Sequence, residues 1–206
     1  MKIEENATDG KMAGLERAFI NSRLKYLYQR YFEMSVYKSM LASNSLSLEG
    51  ACVLDAGCGA GFGLELIDNA FHPRELIGID LDPEEVRLAR KRGHGKEIVV
   101  GDLAKSNFGN GHFDAVFAFT ILHHMPHWRD GLREMSRILG KGGFLLVNEN
   151  HKLTLDIIEW SLGVHHPMGA RFTWAELVDA MEESGFDIIE KRSLPGTIGF
   201  FLCKKA

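Results

Sequence analysis

Residues 53–63 read Val-Leu-Asp-Ala-Gly-Cys-Gly-Ala-Gly-Phe-Gly: an apolar strand end, one acidic residue, then glycines at 57, 59, 61 and 63. Glycines this closely spaced let a backbone turn sharply and approach a ligand, and at a strand end that ligand is usually nucleotide-like. A dinucleotide fingerprint needs glycines at the first, third and sixth places. Counted from Gly57 the sixth place is Phe62, and from Gly59 it is Leu64, so neither frame fits. Two further acidic residues, Asp80 and Asp102, follow short apolar runs, and a histidine pair, His123-His124, follows a third. Strand-end carboxylates accept hydrogen bonds from sugar hydroxyls or amino groups, and a histidine can take up a proton near neutral pH.

The elements that must hold these residues are legible in the pattern. Residues 15–42 predict a helix whose apolar face carries Leu24, Leu27, Tyr28, Tyr31 and Met34. Short strands and helices then alternate. Strands are expected at 51–55, 76–80, 97–100, 113–119 and 143–148, and helices at 61–70, 84–91 and 127–139. Pro83 suits a first helical turn, and residues 140–143 (Gly-Lys-Gly-Gly) predict a turn before the fifth strand. This alternation implies a parallel sheet covered on both faces. Thr173 and Glu176 form a capping-box pattern for a helix over 173–184. The runs 186–192 and 198–203 are joined too tightly for a helical crossover, so they are expected to pair antiparallel.

The 206 residues suffice for one α/β domain, with 45% hydrophobic and 25% charged residues. A net charge of −4 argues against general nucleic-acid binding. Three scattered cysteines, Cys52, Cys58 and Cys203, predict reduced thiols, no structural zinc and a cytoplasmic setting. No signal-peptide core is read at the N-terminus, and no apolar run reaches membrane-spanning length.

The spacing Asp55-x-Gly57-x-Gly59-x-Gly61, followed by Asp80-Leu81 and Asp102-Leu103, resembles the motifs of class I S-adenosylmethionine-dependent methyltransferases. The run 121–125 (Ile-Leu-His-His-Met) resembles the small-molecule, type 11 branch that includes ubiquinone/menaquinone-type enzymes. The resemblance implies a doubly wound, Rossmann-like, seven-stranded, mostly parallel sheet with an antiparallel C-terminal strand. It implies S-adenosylmethionine held by Asp55, Gly57, Cys58, Gly59 and Gly61 at its methionine end. Asp80 would take the ribose hydroxyls, Leu81 and Leu103 the adenine faces, Asp102 its amino group, and Phe119 and Thr120 the methionine chain. One domain is expected: residues 1–45 a helical lid, 50–150 the cofactor core, 151–174 a substrate lid, 175–206 a helix and hairpin.

The implied reaction is direct in-line methyl transfer to a small-molecule acceptor. A protein or RNA acceptor, or cofactor binding without turnover, are the competing readings. His124, then His123, are the candidate bases if the acceptor is a hydroxyl. Adjacent histidines point apart on extended backbone, and no third ligand has suitable spacing, so no metal site is expected; His151, His165 and His166 lie beyond. Tyr26, Tyr28 and Tyr31 are expected in core packing, and at least one of Trp160, Phe172 and Trp174 in a substrate pocket. The acceptor and the oligomeric state, monomer or homodimer, are open at this point.

Overall fold

A computed structural model describes residues 23–95, 97–162, 170–194 and 196–206. Its centre is a seven-stranded sheet of order β3-β2-β1-β4-β5-β7-β6. The strands are β1 (Cys52–Ala56), β2 (Glu75–Asp80), β3 (Glu97–Val100), β4 (Phe113–Phe119), β5 (Leu139–Asn150), β6 (Phe186–Ser193) and β7 (Ile198–Lys205). β1 to β5 run parallel, and β7 pairs antiparallel with both β5 and β6. The chain order reverses between β1 and β4, which opens a crevice at the carboxyl ends of those strands.

Burial explains the composition of the central strands. All five residues of β1 and six of seven in β4 are buried, as expected where helices cover both faces. Val53 and Ala115 belong to one core, and Leu54, Val116 and Leu145 to the other. The two-residue period of the strand thus feeds two separate layers. The first face is covered by α1 (Arg23–Tyr28), α2 (Met34–Ser43), α3 (Phe62–Phe71) and α4 (Pro83–Arg92); α5 (Trp128–Ile138) and α7 (Trp174–Glu183) lie on the second. A further helix, α6 (Lys152–Leu162), follows β5.

Local chemistry sets the helix ends. Asp82 accepts the Glu84 N–H at 2.9 Å with Pro83 in the first turn, and Thr173 and Glu176 close the expected capping box on α7. β5 begins at Leu139, earlier than expected. The Gly140–Gly143 segment is an irregularity inside the strand, because β4 pairs first through Phe113↔Leu139 and then through Ala115↔Phe144.

The N-terminal helix departs most from expectation. Of the predicted apolar face, only Met34 is buried; Leu24 and Tyr31 are 67% and 68% exposed, and Leu27 and Tyr28 lie largely in solvent. The buried positions are Gln29, Glu33, Met34, Tyr37, Met40 and Leu41. A π-helical turn at Gln29–Glu33 interrupts the helix and changes its phase, and polar partners on β5 take Glu33 and Tyr37 inward. Tyr26 is half-buried, donating from its hydroxyl to Glu65 at 2.7 Å, so the expectation of tyrosine core packing fails for Tyr28 and Tyr31.

Candidate active site

The glycine loop joins β1 to α3 at the crevice. Gly57, Gly59 and Gly61 all have positive φ, at +75°, +49° and +85°. Gly57 and Cys58 donate their N–H groups to Ile79 O at 2.8 and 3.0 Å, which ties the loop to β2. The Cys58 side chain turns into the core against Gly78, so only its backbone belongs to the loop. A Cβ on Gly57 would stand 2.5 Å from Ile121 Cγ1, and one on Gly63 would collide with the Asp55 carboxylate.

Asp55 is 1% exposed, and neither of its carboxylate oxygens has a hydrogen-bond partner. Burial, with the nearby charge of Asp80, pushes its carboxyl up to about 8. A buried carboxylate without donors costs stability unless a ligand supplies them. Asp80 is held differently. Its two oxygens accept the N–H groups of Gly59 at 2.8 Å and Asp82 at 2.9 Å, and burial again raises its carboxyl. Leu81 beside it is 58% exposed. Asp102 is exposed and caps a short turn, Leu103–Lys105, by accepting Ala104 N–H at 2.8 Å. Leu103 is buried in the core with Ile77 and Ile79, below the surface expected to meet a ring.

The ends of β4 and β5 form the other half. Phe119 is 8% exposed and packs on Tyr37 and Phe117 at ring-centroid distances of 5.7 and 5.5 Å. Thr120 has a φ of +50°, uncommon for a β-branched residue, and donates its N–H to Asn148 O at 2.9 Å. Leu122–His124 is a short 3-10 turn rather than extended chain, so the His123 and His124 rings lie 4.1 Å apart at 40° instead of pointing away from each other. His123 is 4% exposed, with Nδ1 2.6 Å from Glu149 Oε2. The other Glu149 oxygen accepts Leu122 N–H at 2.6 Å. Burial pushes the Glu149 carboxyl up to about 8, opposed by surrounding backbone donors.

Sequence reasoning missed Glu149 and Asn148. Both lie in an apolar-looking strand, and their only signal was polarity at the end of a buried run. Asn148 is fully buried; its Oδ1 accepts the Tyr37 hydroxyl at 2.9 Å and its Nδ2 donates to Glu33 Oε1 at 3.1 Å. Among the aromatic side chains once assigned to a pocket, Phe172 is 1% exposed and packs on Trp128, and Trp174 packs on Phe201 and His151. The Trp160 side chain, His165 and His166 lie outside the described residues. A cavity of about 410 Å³ lies between the N-terminal helix and α3, at Tyr26, Arg30, Leu66 and Asn69, and contains none of the predicted site residues. The three cysteines are buried and free.

S-adenosylmethionine carries an ammonium group at one end and a ribose and adenine at the other. The residues present fit it: Asp55 lacks donors, a Cβ on Gly59 would meet no atom nearer than Glu85 Oε2 at 3.9 Å, and Asp80 stands at the next strand end. Residues 54–147 match the family described as "Methyltransferase domain". The chain is 35% identical over 105 residues to a phthiotriol/phenolphthiotriol dimycocerosates methyltransferase of Mycobacterium leprae, covering 50% of this chain and 39% of that protein. It is 32% identical over 131 residues to a fatty-acid O-methyltransferase of Mycolicibacterium smegmatis, covering 63% and 47%. It thus spans about half the length of these relatives or less. A crystal structure of a SAM-dependent methyltransferase from Aquifex aeolicus superposes with a TM-score of 0.73 at 18% identity, covering 95% of this chain and 100% of that one. By strand order, motif set and family match, residues 54–147 carry a methyltransferase domain of the class I S-adenosylmethionine-dependent type.

Proposed function

We propose that this protein methylates a hydroxyl group of a small, largely apolar molecule. The observation that carries the reading is the buried His123–Glu149 pair, 2.6 Å apart at the mouth of the crevice. When Nδ1 donates to Glu149, the second ring nitrogen keeps its lone pair and can accept a proton. A hydroxyl acceptor must lose a proton as it is methylated, whereas a carboxylate acceptor has none to lose; a built proton acceptor therefore favours an alcohol or phenol. The names of the two mycobacterial relatives support a lipid-like acceptor.

S-adenosylmethionine, when bound, supplies an activated methyl group on a sulfonium leaving group. The chain's own residues align and shield the reactants. Asp55 receives the ammonium end, Asp80 the ribose hydroxyls, Asp102 and Leu81 the adenine, and the Gly57–Gly61 loop admits the chain between them. Phe119 and Thr120 border the methionine portion. His123 takes the acceptor's proton, and Glu149 holds the imidazole in one orientation and stabilises its charged form. His124, the first choice by position, is placed second to His123, whose ring Glu149 orients. The N-terminal helix and α6, which follows β5, are assigned as the lids that exclude water from the reactants; residues 163–169 lie outside the described residues.

Calorimetric titration with S-adenosylhomocysteine tests the cofactor half, and wild-type protein that binds none overturns it. Product mass after incubation with S-adenosylmethionine and matched fatty alcohols and fatty acids tests the acceptor half. The expected result is methylation of alcohols that collapses in Glu149→Gln. Methylation of acids alone, unchanged in that variant, overturns the hydroxyl assignment.

A further inference from the structure

Three carboxylate oxygens are the only fully buried side-chain acceptors without a donor among the described residues: both oxygens of Asp55 and Glu33 Oε2. Asp55 belongs to the cofactor loop already described; Glu33 comes from the N-terminal helix and has no part in that motif set. Its side chain is wholly inaccessible. Oε1 accepts from Lys25 Nζ at 3.3 Å and from Asn148 Nδ2 at 3.1 Å, so one oxygen is doubly bonded and the other has no partner.

The two carboxylates share one face of the sheet. Asp55 pairs in register with Phe117, and Asn148 with Phe119. Phe117, Phe119 and Tyr37 stack together on that face, and the Tyr37 hydroxyl and Glu33 meet on Asn148. Asp55 and Phe119 both pack against Gly63, where a Cβ would stand 2.4 Å from Asp55 Oδ2 and 3.2 Å from the Phe119 ring. Glu33 closes the π-helical turn, and such turns recur at functional sites because they redirect one side chain out of helical phase. Here the redirected side chain is a charge turned inward with an empty acceptor.

An unpaired buried acceptor is costly, and the cost is relieved by a cationic N–H donor. An ammonium group has three donors. We propose that Glu33 is a positioning residue for the α-ammonium group of the bound S-adenosyl ligand, and that this bond draws the N-terminal helix onto the site. The proposal rests on the S-adenosylmethionine reading above. It makes the helix part of the binding site, so that an empty site and a filled site differ in how firmly the helix is held.

The test compares S-adenosylhomocysteine, which has the ammonium group, with 5′-methylthioadenosine, which lacks the amino-acid end, by calorimetry on the full chain. Glu33→Gln is expected to bind S-adenosylhomocysteine about tenfold more weakly or worse and methylthioadenosine unchanged. Equal affinity of wild type and variant for S-adenosylhomocysteine overturns the proposal. Wild type that binds neither overturns the underlying cofactor reading instead. Hydrogen exchange in residues 34–43 of the wild type needs no variant. S-adenosylhomocysteine should slow it well beyond methylthioadenosine at matched saturation, and equal protection overturns the proposal.

Discussion

The two halves of the crevice are built on opposite plans. At the ends of β1, β2 and β3, each residue proposed for the cofactor sits within a few positions of its own strand, and its partners lie in the same turn or at the neighbouring strand end: Asp80 takes the amides of Asp82 and Gly59, and Asp102 that of Ala104. At the ends of β4 and β5, the partners come from far along the chain. His123 meets Glu149 26 residues on, and Asn148 meets Tyr37 and Glu33 across 111 and 115 residues. The first half is a set of local turns cross-linked between neighbouring strand ends. The second exists only after the sheet and the N-terminal helix have assembled. A ligand common to many enzymes suits the first plan, and an acceptor particular to one enzyme suits the second.

That division can be broken experimentally. The largest effect is expected from Glu149→Gln or His123→Asn. Turnover on a hydroxyl acceptor should fall by about 10²–10⁴ while S-adenosylhomocysteine affinity changes little; a parallel loss of affinity would merge the two halves. Next, Asp80→Ala should weaken S-adenosylhomocysteine binding by about 1.5–3 kcal/mol, read by calorimetry. Unchanged affinity would remove Asp80 from the cofactor half. Gly57 is where the halves touch, since a Cβ there meets Ile121 on the far side. Gly57→Ala should cost about 1–3 kcal/mol of stability through backbone strain and collision, measured by denaturant unfolding. It should impair both binding and turnover.

A smaller effect concerns pH. The folded Asp55 carboxyl holds its proton up to about 8, against 3.8 for the ordinary group. Its stabilising contribution is therefore complete below 3.8 and is lost as the pH rises through 8. The melting temperature of the unliganded protein should fall between pH 5 and pH 8, and Asp55→Asn should flatten part of that fall. An ammonium ligand favours the ionised carboxylate, so S-adenosylhomocysteine binding at pH 7 should release protons, detectable from its heat in buffers of different ionisation enthalpy. The smallest effect is expected for His124→Ala, within about threefold in turnover; a larger drop would move the proton acceptor from His123 to its neighbour.

The glycine loop, the strand ends at Asp55, Asp80 and Asp102, and the Thr173–Glu176 capping box were legible because turns and caps are dictated by residues next to one another. The parallel sheet followed from the alternation of strands and helices, and the antiparallel pairing of β6 and β7 from the short link between them. The phase of the N-terminal helix was not legible. Hydrophobic periodicity points Leu24 and Tyr31 inward, while the structure buries Gln29 and Glu33, because a π-helical turn and a polar partner on β5 outweigh the pattern.

The amino-acid sequence by itself determined the family and the fold and pointed to the strand ends proposed for the cofactor, since these rest on short-range backbone geometry. Only the tertiary structure decided that Glu149 meets His123, that Asn148 bridges Tyr37 and Glu33, and that the Asp55 oxygens and Glu33 Oε2 have no donor among the described residues. Those facts depend on side chains brought together from distant strands and a helix, where burial, not sequence spacing, sets the strength of each charge.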